Sequence, residues 1–127
     1  MRRTEPRAKD RSDAAACCPA KAAIDQRRLL SLDEASTLED LFKVLANDTR
    51  LRLLHALTLK GELCVMDLAE ALEMKPQAVS NQLQRLSDRR ILGSRRSGNN
   101  IFYRVIDPCV TTLLGQGLSL VGTAEGA

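Results

Sequence analysis

Two apolar stripes separated by a proline break restrict the fold more than any other feature. Val65, Leu68, Ala69 and Leu72 fall at i, i+3, i+4 and i+7, the spacing of one buried helical face. After Met74-Lys75-Pro76, Val79, Leu83 and Leu86 resume a helical spacing. Pro76 suits the first position of a helix, where its missing N–H would be unpaired anyway. So short a connection makes the two helices meet at a tight turn.

The period changes after the second helix. Ile91 to Arg96 and Ile101 to Ile106 read as two strands around the turn cluster Ser97-Gly98-Asn99-Asn100. Upstream, Leu38, Leu41, Phe42 and Leu45 mark another helix. Asn47-Asp48-Thr49 interrupts it and offers capping side chains to a helix through Leu51, Leu54 and Leu57 that ends near Lys60-Gly61. Pro108 opens a last helix carrying Val110, Leu113, Leu114, Leu118 and Val121. Gly115, Gly117 and Gly122 each weaken it by roughly 1 kcal/mol relative to Ala, so docking must stabilise it. The order predicts a mainly α fold with a small β-hairpin, a winged helix-turn-helix. The terminal helices remain available for a homodimer interface. A dimer also suits a chain with only Phe42, Phe102 and Tyr103 as aromatic residues, whose core falls to Leu, Val, Ile and Ala.

The expected organisation is a flexible tail over 1–20 bearing Cys17-Cys18, a domain over 21–121, and a C-terminal tail over 122–127, with a short helix from about Ala20 to Leu30. No apolar run approaches the ~20 residues of a membrane span. Met1 to Asp13 is charged, with no apolar stretch behind it, unlike a secretory signal. The expected location is therefore the cytoplasm, at the nucleoid, where cysteines are reduced.

Net charge is only +3, but its distribution is uneven. Residues 33–73 carry nine acids and four bases, whereas residues 75–104 carry seven bases and one acid. The second block is the footprint of a polyanion partner. Opposite its apolar stripe, the helix after Pro76 presents Gln77, Ser80, Asn81 and Gln84 at i, i+3, i+4 and i+7. Such side chains read base edges in the major groove of double-stranded DNA. Lys75 stands at the helix start, with Arg85 on its flank. The hairpin carries Arg95, Arg96 and Arg104, with Asn100 near its tip, as a wing does when it touches the backbone or minor groove. An enzyme is not expected: no paired carboxylates, nucleophile–base set or phosphate loop occurs. The single histidine, His55, sits in an apolar run and reads as structural.

The chain resembles the ArsR/SmtB family of bacterial metal-sensing repressors. The resemblance rests on Leu45-Ala46-Asn47-Asp48-Thr49-Arg50-Leu51-Arg52-Leu53-Leu54, Glu62-Leu63-Cys64-Val65-Met66-Asp67-Leu68-Ala69, Ala78-Val79-Ser80-Asn81-Gln82-Leu83 and the hairpin ending in Tyr103. It implies a winged-helix homodimer joined by its terminal helices, holding operator DNA until a metal arrives. Arsenic- and cadmium-type members carry Cys-Val-Cys where this chain has Cys64-Val65-Met66. Asp107 and Cys109 match half of the zinc-type pattern, but Leu120 replaces the later histidine, which argues against an interhelical zinc site. In cadmium- and lead-type relatives, N-terminal cysteines reach the Cys-Val-Cys helix, as Cys17 or Cys18 would reach Cys64. The candidate ligands are thus Cys17, Cys18, Cys64 and Cys109, with Met66 read as packing. Thiolates select soft ions, here Hg(II), Cd(II), Pb(II) or As(III), and no organic cofactor is expected. Two other readings stay open: a thiol-redox switch on the same repressor, and a metal-buffering or interaction protein that leaves DNA alone.

Overall fold

The structure, a computed structural model, describes residues 24–122. The tail bearing Cys17 and Cys18, and all of the C-terminal tail but Gly122, lie outside the described residues. The chain divides into two compact units, 1–41 and 42–127.

In the first unit the helix expected between Ala20 and Leu30 is not formed over its described part. Only a 3-10 turn, Ile24–Gln26, is present. Ser31 instead caps the next helix: its Oγ accepts from Glu34 N–H at 3.1 Å, and Glu34 Oε1 accepts from Ser31 N–H at 2.9 Å. This reciprocal capping box fixes where α1, Leu32–Leu45, begins. Arg28 donates twice to the Glu34 carboxylate, at 2.8 and 2.9 Å. Chiefly through those bonds, then through the Ser31 N–H, the Glu34 carboxyl falls to about 2.

The second unit holds the core. α2, Asp48–Lys60, starts where expected, with Asn47 Oδ1 accepting from Arg50 N–H at 3.0 Å. It ends at Gly61, φ +88°, whose N–H donates to Leu57 O at 2.7 Å. Its buried face is Leu53, Leu54 and Leu57, whereas Leu51 is 39% exposed, which corrects the expected stripe. Packing against β3, α4 and α5 centres the buried face one residue away. β1, Leu63–Cys64, is a short strand that periodicity is too brief to reveal. α3, Val65–Leu72, and α4, Pro76–Asp88, bury Leu68, Ala69, Leu72, Val79, Leu83 and Leu86, the two expected stripes except for Val65, which at the first turn of α3 is only half-buried.

The hairpin strands are β2, Leu92–Ser97, and β3, Asn100–Val105, each one residue nearer the tip at that end than the apolar pattern indicates. Pairing runs out to Ser97 opposite Asn100, leaving Gly98 (φ +64°) and Asn99 as the loop, so glycine supplies the positive φ. β1 joins as a third antiparallel strand, in the order β1-β3-β2. α5, Pro108–Leu120, closes the unit and buries Val110.

Candidate nucleic-acid interface and thiol positions

Helix α4 presents the polar stripe the sequence indicates. Gln77, Asn81 and Gln84 are exposed and Ser80 is half-buried, opposite fully buried Val79, Leu83 and Leu86. Gln77 Nε2 donates to Asn81 Oδ1 at 3.0 Å, and Gln84 Nε2 to Asp88 Oδ1 at 2.9 Å. These i, i+4 bonds hold the amides in order while leaving unused donors and acceptors for base edges. Lys75 is the exposed residue just before α4, and Arg85 is exposed on its last turns.

A brace that sequence reading passed over fixes α4 against α2. Arg50 Nε donates to Gln82 Oε1 at 2.7 Å, and Arg50 Nη1 to Val44 O at 2.7 Å. An arginine set into a leucine-rich run, Arg50-Leu51-Arg52-Leu53-Leu54, was the signal the sequence offered.

Strand register sorts the wing cations. Residues directly opposed across antiparallel strands share a face. Arg96 opposes Ile101 and Ser94 opposes Tyr103; Arg95 opposes Phe102 and Gly93 opposes Arg104. A cleft of about 240 Å³ brings Ile101, Tyr103 and Asn100 together with Ser80 of α4, so the Ile101 face is the one turned to the recognition helix. Arg96 belongs to that face and Asn100 to the tip. Arg95 and Arg104 stand on the other. Arg95 is also engaged: its Nε and Nη2 donate to the Glu62 carboxylate at 2.8–3.1 Å, and its guanidinium lies 5.1 Å from the Phe102 ring centre.

The thiols occupy distinct places. Cys64 is free, 8% exposed, paired with Phe102 in the sheet, and caps α3 without a side-chain bond. With Met66 it lines the cleft that also holds Ser80 and Tyr103. Met66 is 60% exposed, which corrects its reading as packing, because α3 turns it away from the core. Cys109 is half-buried in the first turn of α5; its N–H donates to Asp107 Oδ1 at 2.9 Å, so Asp107 serves as a helix cap. Cys109 is disulfide-bonded. His55 is exposed on α2.

Residues 47–93 match the model of a family described as bacterial regulatory protein, arsR family. The crystal structure of the AntR antimony-specific transcriptional repressor superposes with a TM-score of 0.73 and 60% sequence identity, covering 87% of this chain and 99% of that one. The chain belongs to the ArsR family. The SmtB-homolog transcriptional repressor of Synechocystis sp. is 42% identical over 69% of this chain and 66% of its own length. The chain spans about half to two thirds of the curated relatives it first matches. A homodimeric winged helix-turn-helix domain from Mycobacterium bovis, a possible ArsR-family regulator, aligns at a TM-score of 0.62 and 28% identity, over 76% of this chain and 92% of that one.

The family is one of DNA-binding transcriptional repressors. Among the described residues no helix is long and apolar enough to cross a membrane. Nor do any three His, Cys, Asp or Glu side chains converge there to hold a metal ion. Within residues 24–122 the cysteines are Cys64 and Cys109.

Proposed function

We propose that this chain is a homodimeric repressor that binds operator DNA when its thiols are reduced and vacant, and releases it when they hold a thiophilic ion. The observation carrying the DNA half is the exposed amide and hydroxyl stripe of α4 beside the Ile101 face of the wing. Gln77, Ser80, Asn81 and Gln84 are assigned to base edges; Lys75, Arg85, Arg96 and Asn100 are assigned to phosphate or the minor groove, while Arg104 stands on the other face of the wing.

Cys109, half-buried in the first turn of α5, is the leading thiolate, a soft-ion donor. Cys17 and Cys18 are the cysteines available beyond residues 24–122, and Cys64 is a further ligand through its cleft. A thiolate set suits Sb(III), As(III), Hg(II), Cd(II) and Pb(II). Antimony(III) ranks first because a 60% identical repressor is antimony-specific. Linkage makes the effect reciprocal: whatever factor the ion takes from operator affinity, operator DNA takes from ion affinity.

The test is operator binding by phosphine-reduced protein titrated with each ion, for wild type, Cys109→Ser and Cys64→Ser. Release by one ion, lost in Cys109→Ser, supports the reading; binding indifferent to every ion overturns its metal half. The Cys109 disulfide equally supports a second reading, a redox switch. Release by mild oxidant without any ion, reversed by reductant, selects that reading instead.

A further inference from the structure

The wing's most constrained cation is not on the face turned to the recognition helix. Arg95 stands on the opposite face from Arg96, and Glu62 takes its Nε–Nη2 edge in a two-point clamp at 2.8–3.1 Å. The side chains are about half and a quarter exposed, at 53% and 28%. Phe102 lies beneath the guanidinium, 5.1 Å away. Glu62 immediately precedes β1, so the clamp ties β2 to the strand at the far edge of the sheet, across β3. A bidentate carboxylate fixes a guanidinium in plane and direction, which a single charge does not. The hairpin has few other means of fixing its angle, since Arg95 to Ser97 and Asn100 and Ile101 are all exposed.

We propose that Glu62 and Arg95 are positioning residues for DNA binding: their clamp over Phe102 braces the wing so that Arg96 and Asn100 meet the duplex. Arg95 thereby leaves the set of phosphate contacts and becomes the strut behind them. This rests on the operator-binding reading above.

Salt dependence separates a strut from a contact. Each phosphate neutralised adds about −0.9 to the slope of log affinity against log salt, so a dimer losing one contact per protomer shifts by about 2. Arg96→Ala is expected to weaken operator binding and flatten the slope by that amount. Glu62→Gln and Arg95→Lys are expected to weaken it about tenfold with the slope unchanged. Glu62→Gln placed on Arg95→Ala is expected to add nothing further, since the pair acts as one unit. Thermal melting of each variant checks that it is folded, and Glu62→Asp, which keeps the carboxylate, is expected to recover part of the affinity. Tighter binding by Glu62→Gln would make the carboxylate a shield over a DNA-contacting arginine and overturn the proposal. A flattened slope in Arg95→Lys or Arg95→Ala, additive losses, or wild-type affinity in Glu62→Gln would overturn it too. Wild-type protein that fails to bind operator DNA would defeat the underlying reading instead.

Discussion

Gly93 shows how one missing atom shapes the wing. A Cβ there would lie 2.7 Å from Ile106 Cγ2, inside any real contact, and the branched Ile106 side chain has no flexible end to move aside. Gly93→Ala should therefore lower stability by about 1–2 kcal/mol, despite the usual gain from removing a strand glycine, and Ile106→Ala should restore most of it. Urea unfolding of the two single variants and the double variant measures this. Glu34 gives a pH prediction of definite sign. Its folded carboxyl sits near 2 against an ordinary 4.5, held by Arg28 and then by Ser31 N–H. A depressed acid contributes fully above its unfolded value and loses that contribution as pH falls through its folded one. The start of α1 should accordingly hold at neutral pH and loosen between about 4.5 and about 2, with carboxyl NMR reporting a titration that Arg28→Ala moves upward. At this scale the sequence was partly legible. Asn47, Gly61, Pro76 and Pro108 announce their caps by residue type. The Glu62–Arg95 clamp does not, because it joins residues 33 positions apart whose meeting depends on a two-residue strand.

Among the elements, the turn between α3 and α4 carries a strain the sequence hides. Glu73 adopts φ +56°, a left-handed conformation that suits glycine, while Met74 N–H donates to Ala69 O at 2.9 Å to close α3. An L side chain there costs about 1 kcal/mol or more, so Glu73→Gly should raise stability by about 0.5–1 kcal/mol and leave the angle between α3 and α4 unchanged. A higher melting temperature with unaltered operator affinity is the expected result; a fall in stability would mean that Glu73 is held by more than its backbone. The opposite effect is expected at Arg50, whose side chain ties α2 to Gln82 of α4 and to Val44 O. Arg50→Ala should cost about 2–3 kcal/mol, since it strips a carbonyl and an amide of charge-assisted bonds. Helix-scale order was the most legible part of the chain, because apolar stripes of period 3.6 decide which face is buried. It failed where a helix packs on several sides, as Leu53 replacing Leu51 in the core shows, and where a capping serine, Ser31, ended the preceding segment instead of continuing it.

For the whole molecule, apolar surface left over by the single chain bears on how charge is presented to DNA. The end of α5 leaves Leu120 87% and Val121 70% exposed, although α5 is otherwise a weak, glycine-bearing helix that needs docking to persist. A homodimer covers such surface and sets two α4 helices on successive turns of one groove face. Leu120→Glu would place a carboxylate in that contact, and a desolvated, unpaired charge disfavours association strongly. Sedimentation is expected to show a dimer for wild type and a monomer for Leu120→Glu. The decisive consequence lies in the salt dependence. With Lys75, Arg85 and Arg96 each meeting a phosphate, a dimer neutralises about six and a monomer about three, giving slopes of about −5 and about −3. Leu120→Glu should therefore bind operator DNA weakly and with about half the wild-type slope, although no DNA-facing residue has changed. If the slope instead stayed at the wild-type value while affinity fell, the variant would still be binding as a pair. The apolar end of α5 would then stabilise the helix within one chain rather than join two.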